Sequence, residues 1–390
     1  MSYHSRRGCI IITGQTMNIG LIGFGSMGKT HAYAVHNLNY FFGDGISARI
    51  AGVCTAHRET SEKAAREYGF DVAVTDEDEL IYSPDIDIID ICTPNILHFE
   101  TAKKAVLAGK HVYCEKPLAV TPEQADMLAS LAAENGVTAQ VVFNNRFMSG
   151  VMRAKEIISG GLIGNVISFR CEYLHSSCTD LSRNAGWKQD RDICGGGVLF
   201  DLGSHAIDLI RYLCGDFSKV SGKAQIAHPL RRGIDGREWR TNADEAFYLT
   251  AELECGAVGT IEANKLAFGT NDDLSFEIYG DAGAVRFSLM QPNYIGFYDG
   301  RKPGGDLGGE RGFTMIECVG RYPSPCGIFP GVKAPTGWLM GHVGSMHAFL
   351  SSVRDGKPAA PSFTDGAAVQ HIMECAQRSA ANLGREEKIN

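Results

Sequence analysis

Asn18-Ile19-Gly20-Leu21-Ile22-Gly23-Phe24-Gly25-Ser26-Met27-Gly28 is the stretch on which the fold turns. A short apolar run leads into glycines spaced G-x-G-x-x-G, and Lys29 to Leu38 then carries a helical pattern. Strand, glycine turn and helix in that order form a dinucleotide-binding device. Gly23 permits the tight turn, Gly25 lets the backbone approach a pyrophosphate, and Gly28 allows close packing of the helix. Phe24, Ser26 and Met27 complete the loop, and the helix N-terminus faces the phosphates. In a chain with 46 glycines the spacing alone arises readily by chance, so its place between strand and helix carries the reading.

Outward from this stretch, apolar strands recur at Arg49 to Thr55, Ile86 to Thr93, His111 to Cys114 and Thr138 to Phe143. Helical stretches at Glu59 to Tyr68, Phe99 to Ala108 and Pro122 to Asn135 separate them. Such alternation predicts an α/β fold, a Rossmann doubly wound parallel sheet over residues 17–143. From residue 144 the pattern changes. Strands at Val166 to Tyr173, Ala246 to Leu253, Ala257 to Ala263, Ser275 to Tyr279 and Gly283 to Phe287 are joined in part by short turns. They predict an α+β domain over 144–390 with a large, mostly antiparallel open sheet.

Residues 1–16 are expected to be a disordered or optional leader. Their apolar run, Cys9 to Ile12, is far shorter than the ~7–15 residues of a secretory h-region. With 390 residues, 44% of them hydrophobic, the chain can bury two cores. A net charge of -8 and no Lys/Arg run longer than a pair leave no electrostatic footprint for nucleic acid or an anionic membrane. No ~18-residue apolar run predicts a transmembrane helix. The 12 cysteines are scattered, with Cys54, Cys92 and Cys114 inside apolar runs, which fits buried thiols in a reducing cytoplasm. Without CxxC or paired Cys/His spacing, no metal is expected.

The second strand ends in Val53-Cys54-Thr55-Ala56-His57-Arg58, without the acidic residue that binds the ribose 2′-hydroxyl of NAD. Either Thr55 bonds the ribose of NAD, or Arg58 accommodates the 2′-phosphate of NADP; both stay open. Beyond the strand at Ile86 to Thr93, Thr93, Pro94, Asn95 and His98 are candidate nicotinamide or ribose contacts, although a plain turn also explains Pro94-Asn95. The strand at His111 to Cys114 runs into Glu115-Lys116-Pro117, and charges at a buried strand end are expensive unless paired or used.

A third motif is Gly195-Gly196-Gly197-Val198-Leu199-Phe200-Asp201-Leu202-Gly203-Ser204-His205-Ala206-Ile207-Asp208. Asp201 and His205, four apart, would share one helix face, with Asp208 a turn further. A carboxylate there would orient the histidine and stabilise its protonated form, as hydroxyl oxidation requires of a base. The competing reading is an exposed helical ion pair. The three glycines would let a flat ring approach the backbone.

Glu115-Lys116-Pro117, the glycine fingerprint and the third motif together strongly resemble the glucose-fructose oxidoreductase and inositol dehydrogenase family, Gfo/Idh/MocA, through most of the chain. Gly195 to Asp208 is similar to that family's GGGxxxDxGxHxxD segment at every marked position. The resemblance implies an NAD(P)-dependent oxidoreductase acting on CH–OH groups, with hydride passing to the nicotinamide. Lys116 would hydrogen-bond the reacting hydroxyl, His205 would remove its proton, and Asp201 would position the sugar or the histidine. Glu115 and Lys116 would also border the cofactor. A cis Lys116-Pro117 bond and a homo-oligomer (dimer, tetramer or higher) built on the free sheet face are implied too.

Substrate contacts are expected from Asn145, Arg146, Tyr173, His175, Trp187 and Lys188 beside the Lys116, Asp201 and His205 trio. Polar groups beside an aromatic plane suit a pyranose; core packing for Tyr173 and Trp187, and a surface place for Arg146, compete. An insertion from Asn39 and a Gly/Pro-rich segment from Pro292 to Trp338 lengthen the chain, and the layout resembles the levoglucosan and glycoside 3-dehydrogenase branch. The expected reaction is oxidation at C3 of a glucoside-like pyranose to a keto sugar. Inositol 2-dehydrogenase and a glycoside-cleaving enzyme with retained, recycled NAD are alternatives. The trio argues against a sensor that only binds sugar.

Overall fold

The computed structural model describes residues 16–233, 235–319, 329, 331 and 334–389. The leader, apart from Thr16, and part of the Pro292 to Trp338 segment lie outside the described residues.

Six parallel strands form the first sheet: β1 (Met17–Ile22), β2 (Ala48–Cys54), β3 (Val72–Val74), β4 (Ile88–Ile91), β5 (His111–Cys114) and β6 (Ala139–Val141). Their order, β3-β2-β1-β4-β5-β6, reverses direction between β1 and β4, which opens a crevice at the carboxyl ends of those two strands. Every residue of β4, β5 and β6 is buried, as expected for strands covered by helices on both faces. Strand β3, three residues long, is too short for its pattern to stand out in the sequence.

The helix after the glycine turn spans Ser26–Phe41 and so takes in the start of the expected insertion. The rest of that insertion is docked. Phe42 stacks on His347 at 3.5 Å between centroids, and Asp44 accepts hydrogen bonds from His347 and Arg354. Both partners lie on the helix Trp338–Asp355, which returns from the second half to pack on Ser26–Phe41. Its Val343, Met346, Phe349 and Leu350 share one core with Ile19, Leu21, Val35 and Leu38. In space, therefore, the late helix completes a layer of the first sheet.

The second sheet has nine strands, from the edge strand Thr314–Glu317 through Tyr294–Asp299, Gly283–Ser288, Asp273–Gly280, Val166–Leu174, Val258–Asn264, Ala246–Leu253 and Phe217–Gln225 to Glu387–Lys388. All neighbours are antiparallel except Val166–Leu174 with Val258–Asn264. Two of these strands, Tyr294–Asp299 and Thr314–Glu317, run through the Gly/Pro-rich segment from Pro292 to Trp338. Phe169, Cys171, Tyr173, Ile261 and Phe276 are buried beneath helices that include Ser204–Cys214 and Phe363–Ala381, whereas Arg170, Thr260 and Tyr248 alternate with them on the open face. The longest apolar helical run among the described residues, Arg191–Cys214, is mostly buried within this domain.

Candidate active site

The glycine turn fits a dinucleotide. Gly23 has φ +93°, and a Cβ there would stand 2.5 Å from the Cys92 carbonyl oxygen at the end of β4. A Cβ on Gly28 would stand 2.4 Å from the Gly23 carbonyl oxygen, so this glycine closes the turn onto its own helix. Gly25 has open space instead, the approach a pyrophosphate needs. Ser26 is exposed beside it and Met27 half-buried, while Phe24 turns away to pack edge-on against Tyr68 and Phe70.

At the end of β2, the Thr55 hydroxyl donates to the His57 carbonyl. Arg58 projects into solvent, bonded to Glu62 on its own helix, so no 2′-phosphate site is preformed there. After β4, the Thr93 hydroxyl is buried without a partner among the described residues and remains available to a ligand. Pro94 leads into the turn Asn95–Leu97, and the Asn95 amide donates to the Cys194 carbonyl, tying the first domain to the second. His98 departs from its expected role: its buried ring lies between the carbonyls of Pro117 and Thr93, bracing two loops of the crevice rather than facing a ligand. The Lys116-Pro117 bond beside it is cis.

Lys116 reaches across to the second domain. Its Nζ donates to the Asp201 carbonyl at 2.7 Å and to Asp201 Oδ1 at 3.0 Å, which leaves one of an ammonium's three N–H bonds for a ligand. Asp201 also binds Lys188 at 2.9 Å and Lys265 at 2.9 Å. Burial opposes its charge, but the three lysines hold its carboxyl well below the usual carboxylate range.

The expected Asp201–His205 pairing is corrected. Leu199–Gly203 form a turn of π-helix, which breaks the alignment of residues four apart, and the Asp201 carboxylate belongs to lysines. His205 Nδ1 is buried without a partner among the described residues, and its ring meets Phe143 and Tyr173 edge-on. Burial, and then the Lys116 charge, push its pKa well below the ordinary histidine value. Both influences favour the neutral ring, whose Nδ1 is open to a ligand. The glycine triplet is explained by packing: a Cβ on Gly197 would stand 2.0 Å from the Asp244 carbonyl oxygen and one on Gly196 would run into Gln377 and Phe200.

Beneath the crevice Glu115 accepts from His31 at 3.0 Å and from the Lys116 backbone N–H at 3.2 Å. His31 also binds Asp90 at 2.8 Å. Of the expected substrate contacts, Asn145 is buried with neither side-chain polar atom partnered among the described residues, as a ligand-facing amide would be. Tyr173 packs edge-on against both His205 and His175, and His175 is held by Asp272 at 2.7 Å. Trp187 sits at the rim with Lys188 Nζ 5.6 Å from its ring centre. Arg146 is not brought into this group: its guanidinium forms a buried fork with Asp208 and reaches Asp365, a structural tie between helices. Sequence reasoning missed Lys265, His31 and His342. Lys265 had a signal, an isolated lysine directly after the apolar strand that ends at Asn264.

Residues 17–143 match the description "Oxidoreductase family, NAD-binding Rossmann fold", and residues 151–286 match the GFO/IDH/MocA C-terminal domain. Levoglucosan dehydrogenase of Pseudarthrobacter phenanthrenivorans is 33% identical over 383 residues, covering 94% of this chain and 97% of its own length. Glucose-6-phosphate 3-dehydrogenase of Bacillus subtilis is 24% identical over 359 residues, 91% of this chain and 94% of its own. A solved structure of levoglucosan dehydrogenase in complex with NADH and levoglucosan matches with a TM-score of 0.91 at 32% identity, over 96% of this chain and 100% of that one.

Proposed function

The chain belongs to the Gfo/Idh/MocA oxidoreductases, with an NAD-binding Rossmann domain, and from that premise we propose that it oxidises a ring hydroxyl, at C3, of a glucoside-like pyranose to a keto sugar. The observation that carries this reading is a buried His205 whose Nδ1 has no partner among the described residues, within electrostatic reach of a Lys116 ammonium anchored on Asp201. NAD supplies the hydride acceptor. The free N–H of Lys116 binds the substrate oxygen and favours its anionic form, and the His205 imidazole takes the proton. Asp201, fixed by three cations, sets the direction of Lys116. Asn145, Tyr173, His175 and Trp187 are assigned to the sugar, since unpartnered amide and aromatic groups suit a ring with hydroxyls at its rim and an apolar face.

Two similarities support the sugar and the position: the relatives act, by name, on levoglucosan and at position 3 of glucose-6-phosphate. Solvent-exposed Arg58, already paired with Glu62, supports NAD over NADP. Buried thiols such as Cys54, Cys114 and Cys171 support a reducing cytoplasm, and the uncovered face of the nine-stranded sheet supports a homo-oligomer.

The test monitors reduced nicotinamide while the enzyme meets NAD or NADP with methyl glucoside, glucose, levoglucosan, myo-inositol and a galactoside. Turnover of glucosides or levoglucosan with NAD, and a 3-keto product by NMR, is the expected result. Turnover of inositol alone would move the chain to the cyclitol branch. No turnover, with nicotinamide recovered from the denatured protein, would instead assign a retained, recycled cofactor.

A further inference from the structure

One buried histidine near Lys116 has no hydrogen-bond partner among the described residues. His342 stands in the first turns of the helix Trp338–Asp355, buried, and neither Nδ1 nor Nε2 meets a hydrogen-bond partner among the described residues. Its ring is fixed from two sides, edge-on by Trp338 at 4.3 Å and tilted against His31 at 5.9 Å. One of its nitrogens falls in a cluster with His31 and Glu115 whose polar atoms all lie within 4.8 Å of one another. It also lies close enough to the Lys116 ammonium to have its own protonation opposed by that charge, and close enough to His205 to oppose the protonation of that ring. Leaving a buried polar group unanswered is costly, so a rigid ring in this state points to a ligand that answers it.

We propose that the imidazole of His342 receives the carboxamide of the nicotinamide, donating one hydrogen bond to its oxygen and accepting one from its nitrogen. The inference rests on the NAD reading above and not on the identity of the sugar. Lys116 and His205 hold the hydroxyl whose carbon gives up hydride, and reacting atoms must come within about 3–3.5 Å of each other. The nicotinamide ring therefore belongs beside Glu115 and Lys116, and a nitrogen of His342 lies within 4.8 Å of the Glu115 carboxylate.

The chemistry of the two groups is complementary. Burial first, and then the charge of His31, bring the His342 pKa down to about 3, so the ring is neutral, with one N–H and one bare nitrogen. A primary carboxamide presents one acceptor oxygen and an NH2 donor. A carboxylate would leave the bare nitrogen facing lone pairs. His31 cannot answer His342 itself, because its two nitrogens are committed to Asp90 and Glu115.

The experiment is a binding titration of the purified full chain with NADH, ADP-ribose and the reduced 3-acetylpyridine analogue, whose acetyl group keeps the acceptor and lacks the N–H donor. Wild type is expected to bind NADH several-fold tighter than the analogue. His342→Leu is expected to raise the NADH dissociation constant about tenfold, the worth of one to two hydrogen bonds, and to leave ADP-ribose unchanged. His342→Gln, which keeps a donor and an acceptor, should recover most of the loss. Equal losses for NADH and ADP-ribose would overturn the proposal in favour of a packing role, as would a wild type that does not distinguish NADH from the analogue. Stoichiometric zinc in the purified protein, lost in His342→Leu, would also overturn it and give the ring to a metal with His31 and Glu115. None of these readings needs a sugar, so failure of the C3 assignment leaves them standing.

Discussion

Two charge clusters flank Lys116, and each inverts the other. On the side of the second domain one carboxylate, Asp201, gathers three ammonium groups from Lys116, Lys188 and Lys265. Beneath the cofactor crevice one imidazole, His31, lies between two carboxylates, Asp90 and Glu115. The histidines of the two clusters end in opposite states. Burial favours the neutral form of both, but the negative charge of Asp90 raises the His31 pKa well above the ordinary value, whereas Lys116 adds to burial and pushes His205 well below it. Burial alone thus does not decide the protonation of a buried histidine; the sign of its nearest fixed charge does. The consequence is a division of labour. His205 can accept a proton, and His31 serves as a fixed cation that holds Glu115 against the Lys116 backbone.

The sharpest way to break this division is at the residue the clusters share. Lys116→Met is expected to lower kcat/KM by about 10³-fold, within the range for losing a group that manages a proton in the transition state, while NADH still binds. Steady-state kinetics beside an NADH titration check it, and unchanged turnover would remove Lys116 from the chemistry. On the cofactor side, His31→Asn leaves two buried carboxylates without their cation and is expected to destabilise the fold by about 3–5 kcal/mol in urea unfolding. The raised pKa sets the sign with pH: the stabilisation is complete below the unfolded value of about 6.5 and is lost as pH rises through the higher folded value. The gap between wild type and variant should therefore narrow on the alkaline side. A gap that widened there would mean that His31 is neutral in the fold.

How much of this was legible in the sequence divides along the same line. The sheet of the first domain shows in alternating apolar runs because both of its faces are covered, and only the three-residue β3 escapes. The second sheet shows in part where one face is buried, but Phe217–Gln225 escapes, and Tyr294–Asp299 and the edge strand Thr314–Glu317 hide in a segment rich in glycine and proline. Lys116, Asp201 and His205 were legible because they sit in local motifs. Two partners that bias their charge states were not: Lys265 and His342 come from elements 64 and 137 residues beyond Asp201 and His205, and although Lys265 stands out after its apolar strand, no local pattern records the contact it makes. Spacing on an ideal helix also misjudged the Asp201–His205 relation, because the π turn at Leu199–Gly203 leaves no mark in apolar periodicity. Arg146 looked like a substrate ligand for the same reason: its partners Asp208 and Asp365 are distant in the chain.

The pH profile tests the His205 half of the comparison. The dependence of kcat/KM reports the free enzyme, and a base whose pKa lies well below 6.5 gives an acid limb below that value. The rate constant should be flat from about pH 6.5 to 8. A limb centred at or above 6.5 would place on His205 the charge state found on His31 and erase the contrast.

The smallest effect sharpens the Asp201 cluster from within. Its three lysines are not equivalent: Lys265 is buried beside the carboxylate, whereas the Lys188 side chain is 46% exposed at the rim. Removing Lys188 leaves Asp201 with two cations, so the carboxylate stays ionised and still directs Lys116. An ion pair open to solvent contributes only about 0.2–1 kcal/mol. Lys188→Met is therefore expected to raise the KM for the sugar about 2–5-fold with kcat little changed, the signature of a contact made equally in ground and transition states. Lys265→Met removes a cation that water cannot replace, and its loss should fall on kcat. Equal effects of the two variants on kcat would mean that the cluster acts through total charge alone, and that the placement of each lysine around Asp201 is immaterial.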